Sequence, residues 1–190
     1  MYISMLLNAL IATALAAPIA QQETPQSGKS DAWQPAAGTK TTCDANSDKS
    51  ISFMVGPQIE DVLNNVCAAM MTGCAYQDRL PSGTICIKSI DWPLDGPKST
   101  TRDVDVLNKD DSKIFGFNTK FDVTPALQPL DSAGVFWTVE DCYGYFARML
   151  QKSGSEGCHN GIGSGTGSVE VGGNSTLAGT VFKVTIVPEN

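Results

Sequence analysis

One histidine, His159, serves a chain of 190 residues. A zinc site needs several histidines or paired Cys-x-x-Cys ligands, and the sequence has neither, so zinc is excluded on spacing. Basic residues are also few: Lys and Arg number 13 against 20 Asp and Glu, a formal net charge of −7. With no basic run to offset that balance, phosphate is repelled and a nucleic-acid surface is excluded. There is no Gly-x-Ser-x-Gly elbow to supply a nucleophile for His159. No dibasic pair offers a processing site, and no apolar stretch is long enough to span a membrane.

What is there points outward from the cell. Met5 to Ala16 is an almost wholly apolar run. It ends in Ala14-Leu15-Ala16, the small-x-small pattern that signal peptidase cuts. Residues 1–16 are therefore expected to be a signal peptide and the protein to be secreted. Residues 17–42 are rich in Gln, Ser, Thr, Pro and Gly, with one aromatic, Trp33. Such a segment buries too little to offset chain entropy and reads as a disordered arm. All six cysteines, Cys43, Cys67, Cys74, Cys86, Cys142 and Cys158, lie beyond the signal. An even count in an exported chain implies three disulfides, whose connectivity the spacing leaves open. Residues 43–190 are sized for a single domain.

Within that domain, Ser50 to Val55 alternates as a short strand. Pro57 is expected at the first helical position, where its missing N–H costs nothing. Ile59, Val62, Leu63, Val66, Cys67 and Met70 then trace one helical stripe, which Gly73 ends. The buried place of Cys67 predicts a staple from this helix to the sheet. Thr84 to Trp92 reads as a second strand, with Cys86 in its middle as a partner for either helix. Residues 93–112 form a polar loop with a short strand at Val104 to Leu107. Phe115 to Val123 alternates, with Phe115, Phe117, Phe121 and Val123 inward. Thr138 and Asp141 have capping-box spacing, with Trp137 and Cys142 as the flanking staple. Cys142, Phe146, Met149 and Leu150 make the second helix's stripe. The helix sets Cys142 too far from Cys158 for these two to pair. Val169 and Val171 mark one last strand, and Phe182, Val184 and Ile186 another. The order predicts an α+β domain with two helices on one face of an antiparallel sheet, a split βαβ, ferredoxin-like sandwich stapled by disulfides.

The segment GCHNGIGSGTG, residues 157–167, resembles a phosphate loop only superficially. It follows a helix and leads to a strand, whereas phosphate loops run from a strand into a helix N-terminus. It reads as a flexible connection in which glycine permits positive φ, and His159 as a surface residue. Carboxylates cluster at Asp103 and Asp105, Asp110 and Asp111, and Glu140 and Asp141. Solvated loop charge accounts for the first two pairs and helix capping for the third, so no catalytic residue is assigned. The run from Asp103 begins like a calcium loop but lacks the glycine and glutamate such a loop needs. Neither metal nor cofactor is expected. Trp92, at a strand end before Pro93, is the one candidate for a sugar-stacking contact; core packing is its competing role.

The signal peptide, the polar arm, CDANSDKSISF at 43–53, WTVEDCYGYFARMLQKSGSEGC at 137–158 and the late glycine-rich run into GTVFKVTIVP together resemble the small secreted cysteine-rich proteins of filamentous fungi. Among these the chain is similar to killer-toxin-like and necrosis-inducing effector proteins. The resemblance implies a secreted α/β sandwich without known catalysis that acts on a host plant or a competing microbe; the protein is expected to be a monomer that meets a host or microbial surface target. The alternative is a cell-wall carbohydrate-binding protein or a secreted glycoside hydrolase. Secreted killer toxins often carry dibasic sites, more cysteines or basic charge, and this chain has none of these, which favours an effector role over direct toxicity.

Asn174-Ser175-Thr176 is the only Asn-x-Ser/Thr sequon, placed between two strands beside Gly172 and Gly173. Protein from the native host should carry one N-glycan there. Intact-mass and peptide mass spectrometry check this, and an unmodified Asn174 would count against secretory passage.

Overall fold

The helix that organises the fold is specified by its own first turn. Thr138 caps it: the Asp141 backbone N–H donates to Thr138 Oγ1 at 3.0 Å, and the Thr138 N–H donates to Asp141 Oδ2 at 3.0 Å. That reciprocal pair is the capping box the sequence predicts. The computed structural model describes residues 33–54, 56–129 and 131–189. The expected signal segment 1–16 and residues 17–32 of the expected arm lie outside the described residues.

In chain order the elements are β1 (Lys40–Cys43), β2 (Lys49–Ser52), α1 (Ile59–Met70), a kinked 3-10 segment (Gly73–Arg79), β3 (Trp92–Pro93), β4 (Lys98–Arg102), β5 (Asp105–Asn108), β6 (Lys113–Ile114), β7 (Phe117–Thr124), β8 (Phe136–Trp137), α2 (Val139–Gln151), β9 (Gly167–Glu170) and β10 (Val181–Pro188). Five strands form the main antiparallel sheet in the order β1-β9-β10-β7-β4. β2, β5 and β6 make a second small sheet, and β3 pairs with β8. β7 and β9 both run antiparallel to β10, so they run parallel to each other with β10 between them. α2 connects them. The result is an α+β domain with antiparallel sheets, as the sequence order predicts at that level.

The core lies where α2 meets this sheet. Phe146 stacks edge-on against both Phe121 of β7 and Phe182 of β10, with ring centroids 5.3 Å apart in each case. Tyr145 lies 4.9 Å from Phe182. Thr119, Phe121 and Val123 are buried from β7, and Phe182 and Val184 from β10, which is the alternation of a sheet with one wet face. On α1 the buried residues are Val62, Leu63, Val66, Cys67 and Met70, the predicted stripe. Its cap differs from expectation. Gln58 is the N-cap, so Pro57 sits just before the helix rather than at its first position.

Three further expectations are corrected. Residues 33–42 are not an arm. Trp33 Nε1 donates to Asp141 Oδ1 at 3.2 Å, its ring meets Tyr145 edge-on at 4.7 Å, and β1 pairs with β9. Composition missed this because a single tryptophan pins the segment; it fits over α2 where Gly144 leaves no Cβ to collide with the indole. The strand expected at Thr84 to Trp92 shrinks to Trp92 and Pro93. Ile85 and Ile87 alternate but find no core, and with Ile90 they remain 95%, 86% and 84% exposed. Phe115 is also outside, because Gly116 turns the chain at φ 79° before β7 begins. β4 went unread because its residues, KSTTR, include no apolar alternation.

All six cysteines are paired: Cys43 with Cys158, Cys67 with Cys142, and Cys74 with Cys86. Cys67 therefore staples α1 to α2, not to the sheet. Cys86 bonds to Cys74 in the 3-10 segment, not to α1 or α2. Sequence separations are 115, 75 and 12 residues. On chain-entropy grounds the two long loops contribute about 4–5 kcal/mol each and the short one about 3 kcal/mol.

Reduction should then lower the melting temperature by more than about 15 °C. The order of opening should follow burial. Cys67 and Cys142 are wholly buried, whereas Cys43 is exposed and Cys74 and Cys86 are half-exposed. Partial reduction, alkylation and peptide mapping should label Cys67 and Cys142 last. Free thiols in the native protein, or early labelling of that pair, would overturn this picture.

Candidate functional site

The glycine loop belongs to the framework. Ser164 pairs with Ile51 through both backbone bonds, at 2.7 and 2.8 Å, and so carries the loop alongside β2. Its hydroxyl donates to the Leu150 carbonyl at the end of α2. Asn160 Oδ1 accepts from the N–H groups of Ile162 and Gly163, each at 2.9 Å. The glycines are needed for close approach, not for unusual dihedrals: none of Gly161, Gly163, Gly165 and Gly167 has positive φ. A Cβ on Gly163 would lie 2.5 Å from the Ile51 carbonyl, and one on Gly167 would lie 2.4 Å from the Thr42 carbonyl and 2.9 Å from Cys158 Sγ. His159 is exposed, and its N–H donates to the Lys152 carbonyl at 2.9 Å.

The acidic pairs are divided by the fold. Asp105 forms an ion pair with Lys113 at 2.5 Å, while Asp103 is exposed. Asp110 accepts from the Ser112 hydroxyl and N–H, which together hold its carboxyl below the usual carboxylate range. Asp111 takes the left-handed turn position at φ 66°. Asp141 is consumed by Thr138 and Trp33, whereas its neighbour Glu140 faces outward.

Glu140 opens onto the cleft that contains Trp92. Three segments wall a space of about 430 Å³: Cys74, Ala75, Gln77 and Asp78 from the 3-10 segment, Ser89, Ile90 and Trp92 from the loop into β3, and Val139 and Glu140 from α2. Trp92 meets both the core and the cleft. It is half-buried against the core, its backbone pairs with Trp137, and it lines the cleft. Next to the cleft residues, Tyr76 is buried and its hydroxyl has no hydrogen-bond partner. Burial pushes that phenol above its ordinary value. Arg79, over the ring at 5.0 Å, opposes the shift, and Glu140 and Asp78 add to it. Sequence reading missed Gln77, Asp78 and Ser89, which come together only once Cys74 and Cys86 close their loop. Asn174 lies exposed between β9 and β10, as the sequon requires.

If the glycines of 161–167 serve packing, their sensitivity should differ sharply. Gly167→Ala should cost about 1–3 kcal/mol through backbone displacement. Gly161→Ala, which meets nothing within 4 Å, should be near neutral. Thermal melts of the two variants check this; equal effects would contradict it. Among the described residues no helix is long and apolar enough to cross a membrane. No family model, curated protein or solved structure matches the chain, so its functional reading rests on its own residues.

Proposed function

We propose that this is a secreted, non-enzymatic binding protein of the effector or toxin-like kind, acting at the surface of a host or a competing microbe. One observation carries the reading. Ile85 and Ile87 stand almost fully exposed on a loop that the Cys74–Cys86 disulfide ties to the 3-10 segment. Exposed apolar side chains grouped in this way mark an interaction surface. The backbone of the loop supports the same reading, because residues 85–90 make no backbone–backbone hydrogen bond among the described residues and leave donors and acceptors for a partner. The fold suits such display. We read β7, α2 and β9 around β10 as a split βαβ unit of a ferredoxin-like sandwich whose connecting loops carry the contacts. The disulfides favour an extracellular setting.

A second reading, a wall-carbohydrate-binding protein, is favoured by the cleft beside Trp92. The two are compatible, since a wall polysaccharide is one kind of surface target.

The test is binding of labelled, oxidised protein to intact plant, fungal and bacterial cells. At least one cell type should bind it saturably. Ile85→Thr/Ile87→Thr should weaken that binding by about tenfold or more, the loss expected when buried isoleucine surface is removed. Because both side chains are exposed, the melting temperature should hardly move. Unchanged binding, or none to any cell type, would sink the proposal.

A further inference from the structure

The cleft beside Trp92 is assembled from parts that are each fixed independently. Cys74–Cys86 holds the 3-10 segment to the isoleucine loop. The β3–β8 pairing fixes the Trp92 backbone against Trp137. The capping box sets the first turn of α2, and with it Val139 and Glu140. These constraints do not require a ligand to form the cleft, which is the condition for a preorganised site. Its volume falls within the range of small-ligand sites.

The lining chooses the ligand. Trp92, Ile90 and Val139 offer apolar surface, and Asp78, Glu140, Gln77 and Ser89 offer polar groups dominated by acceptors. Among the described residues no lysine, arginine or histidine lines the space, so an anion finds two carboxylates and no counter-charge from them. A bare cation would satisfy the carboxylates but gain nothing from the indole wall. A pyranose matches both halves: its C–H face lies on an aromatic ring, and its hydroxyls around the rim donate to carboxylates and amides.

We infer that this cleft binds a neutral pyranose chain, with a sugar ring against Trp92 and its hydroxyls donating to Asp78 and Glu140. The inference rests on the non-enzymatic binding reading and names the ligand class for one part of that surface. The site is separate from Ile85 and Ile87, which do not line it.

The experiment is titration of the full oxidised protein with chitohexaose, laminarihexaose and cellohexaose, followed by tryptophan fluorescence and calorimetry. An anionic galacturonate hexamer and a protonated glucosamine hexamer serve as charge controls. At least one neutral hexasaccharide should bind, and the galacturonate should not. Glu140→Gln and Asp78→Asn keep side-chain shape at exposed positions, and each should weaken binding by about tenfold. Trp92→Phe, which retains a ring for the core, should weaken it with little change in melting temperature. The inference fails if no neutral hexasaccharide binds, if the two carboxamide variants bind as well as the parent, or if only the glucosamine hexamer binds and salt abolishes it. Failure here with intact, Ile85- and Ile87-dependent cell binding would remove the sugar site alone. Shortening of a hexasaccharide, lost in Glu140→Gln, would uphold the site and overturn the non-enzymatic reading.

Discussion

The packing of α2 against β10 is the contact on which the rest of the molecule depends. Phe146 and Tyr145 meet Phe182 at the centre of the core, and several other attachments are made to the same helix or to the residue just before its cap. Cys142 holds α1 through Cys67. Asp141 and Tyr145 hold Trp33, and so the chain that leads into β1. The Met149 carbonyl accepts from the Cys158 N–H at 2.7 Å, which positions Cys158 for its bond to Cys43. Trp137, just before the cap, carries β3 and therefore Trp92. Loss of this one contact would release two disulfide partners, the edge strand and the cleft together.

That dependence explains which parts of the fold were legible in the sequence. α2 announces itself three times over, by its cap, its stripe and its flanking tryptophan, and the structure starts it at Val139 beneath the Thr138 cap. β7, β9 and β10 are readable because each lays alternate apolar residues on that helix. Elements without apolar residues of their own left no period to read. β4 is built from KSTTR, although it lies beside α1 and pairs with β7; β1 owes its place to β9. The opposite error at Thr84 to Ile90 has the same origin. Alternation records a preference for a two-faced surface, and says nothing of whether such a surface is on offer.

The candidate site was half legible for a related reason. Trp92 could be singled out alone, because a tryptophan before a proline at a strand end is locally unusual. Its companions could not. Asp78 and Glu140 are 62 positions apart in sequence, and only the Cys74–Cys86 bridge and the α2 cap bring their segments to one cleft. The pairing Glu140 and Asp141, the obvious one in sequence, is the pairing the fold takes apart: one carboxylate is spent on the helix end and the other is released outward. Likewise the most conspicuous segment, the glycine loop, is explained by backbones passing close together. Gly163 and Gly167 remove side chains where β1, β2 and the Cys43–Cys158 bridge crowd the chain.

Charge narrows what this surface can meet. A net charge of −7 repels anionic partners at long range, so the cell-surface binding proposed above would have to draw on short-range contacts. The two candidate contacts supply it in different ways. Isoleucines at 85 and 87 contribute through burial of apolar area, which salt does not screen. The carboxylates of the cleft contribute as hydrogen-bond acceptors, where their charge strengthens each bond to a neutral donor. Both contacts depend on the same 12-residue bridge, Cys74–Cys86, which contributes least to global stability on loop length alone. The long bridges close the largest loops of the domain, and the short one shapes the surface that carries the proposed contacts. Under the proposed function, the disulfide with the smallest thermodynamic weight carries the greatest weight in binding.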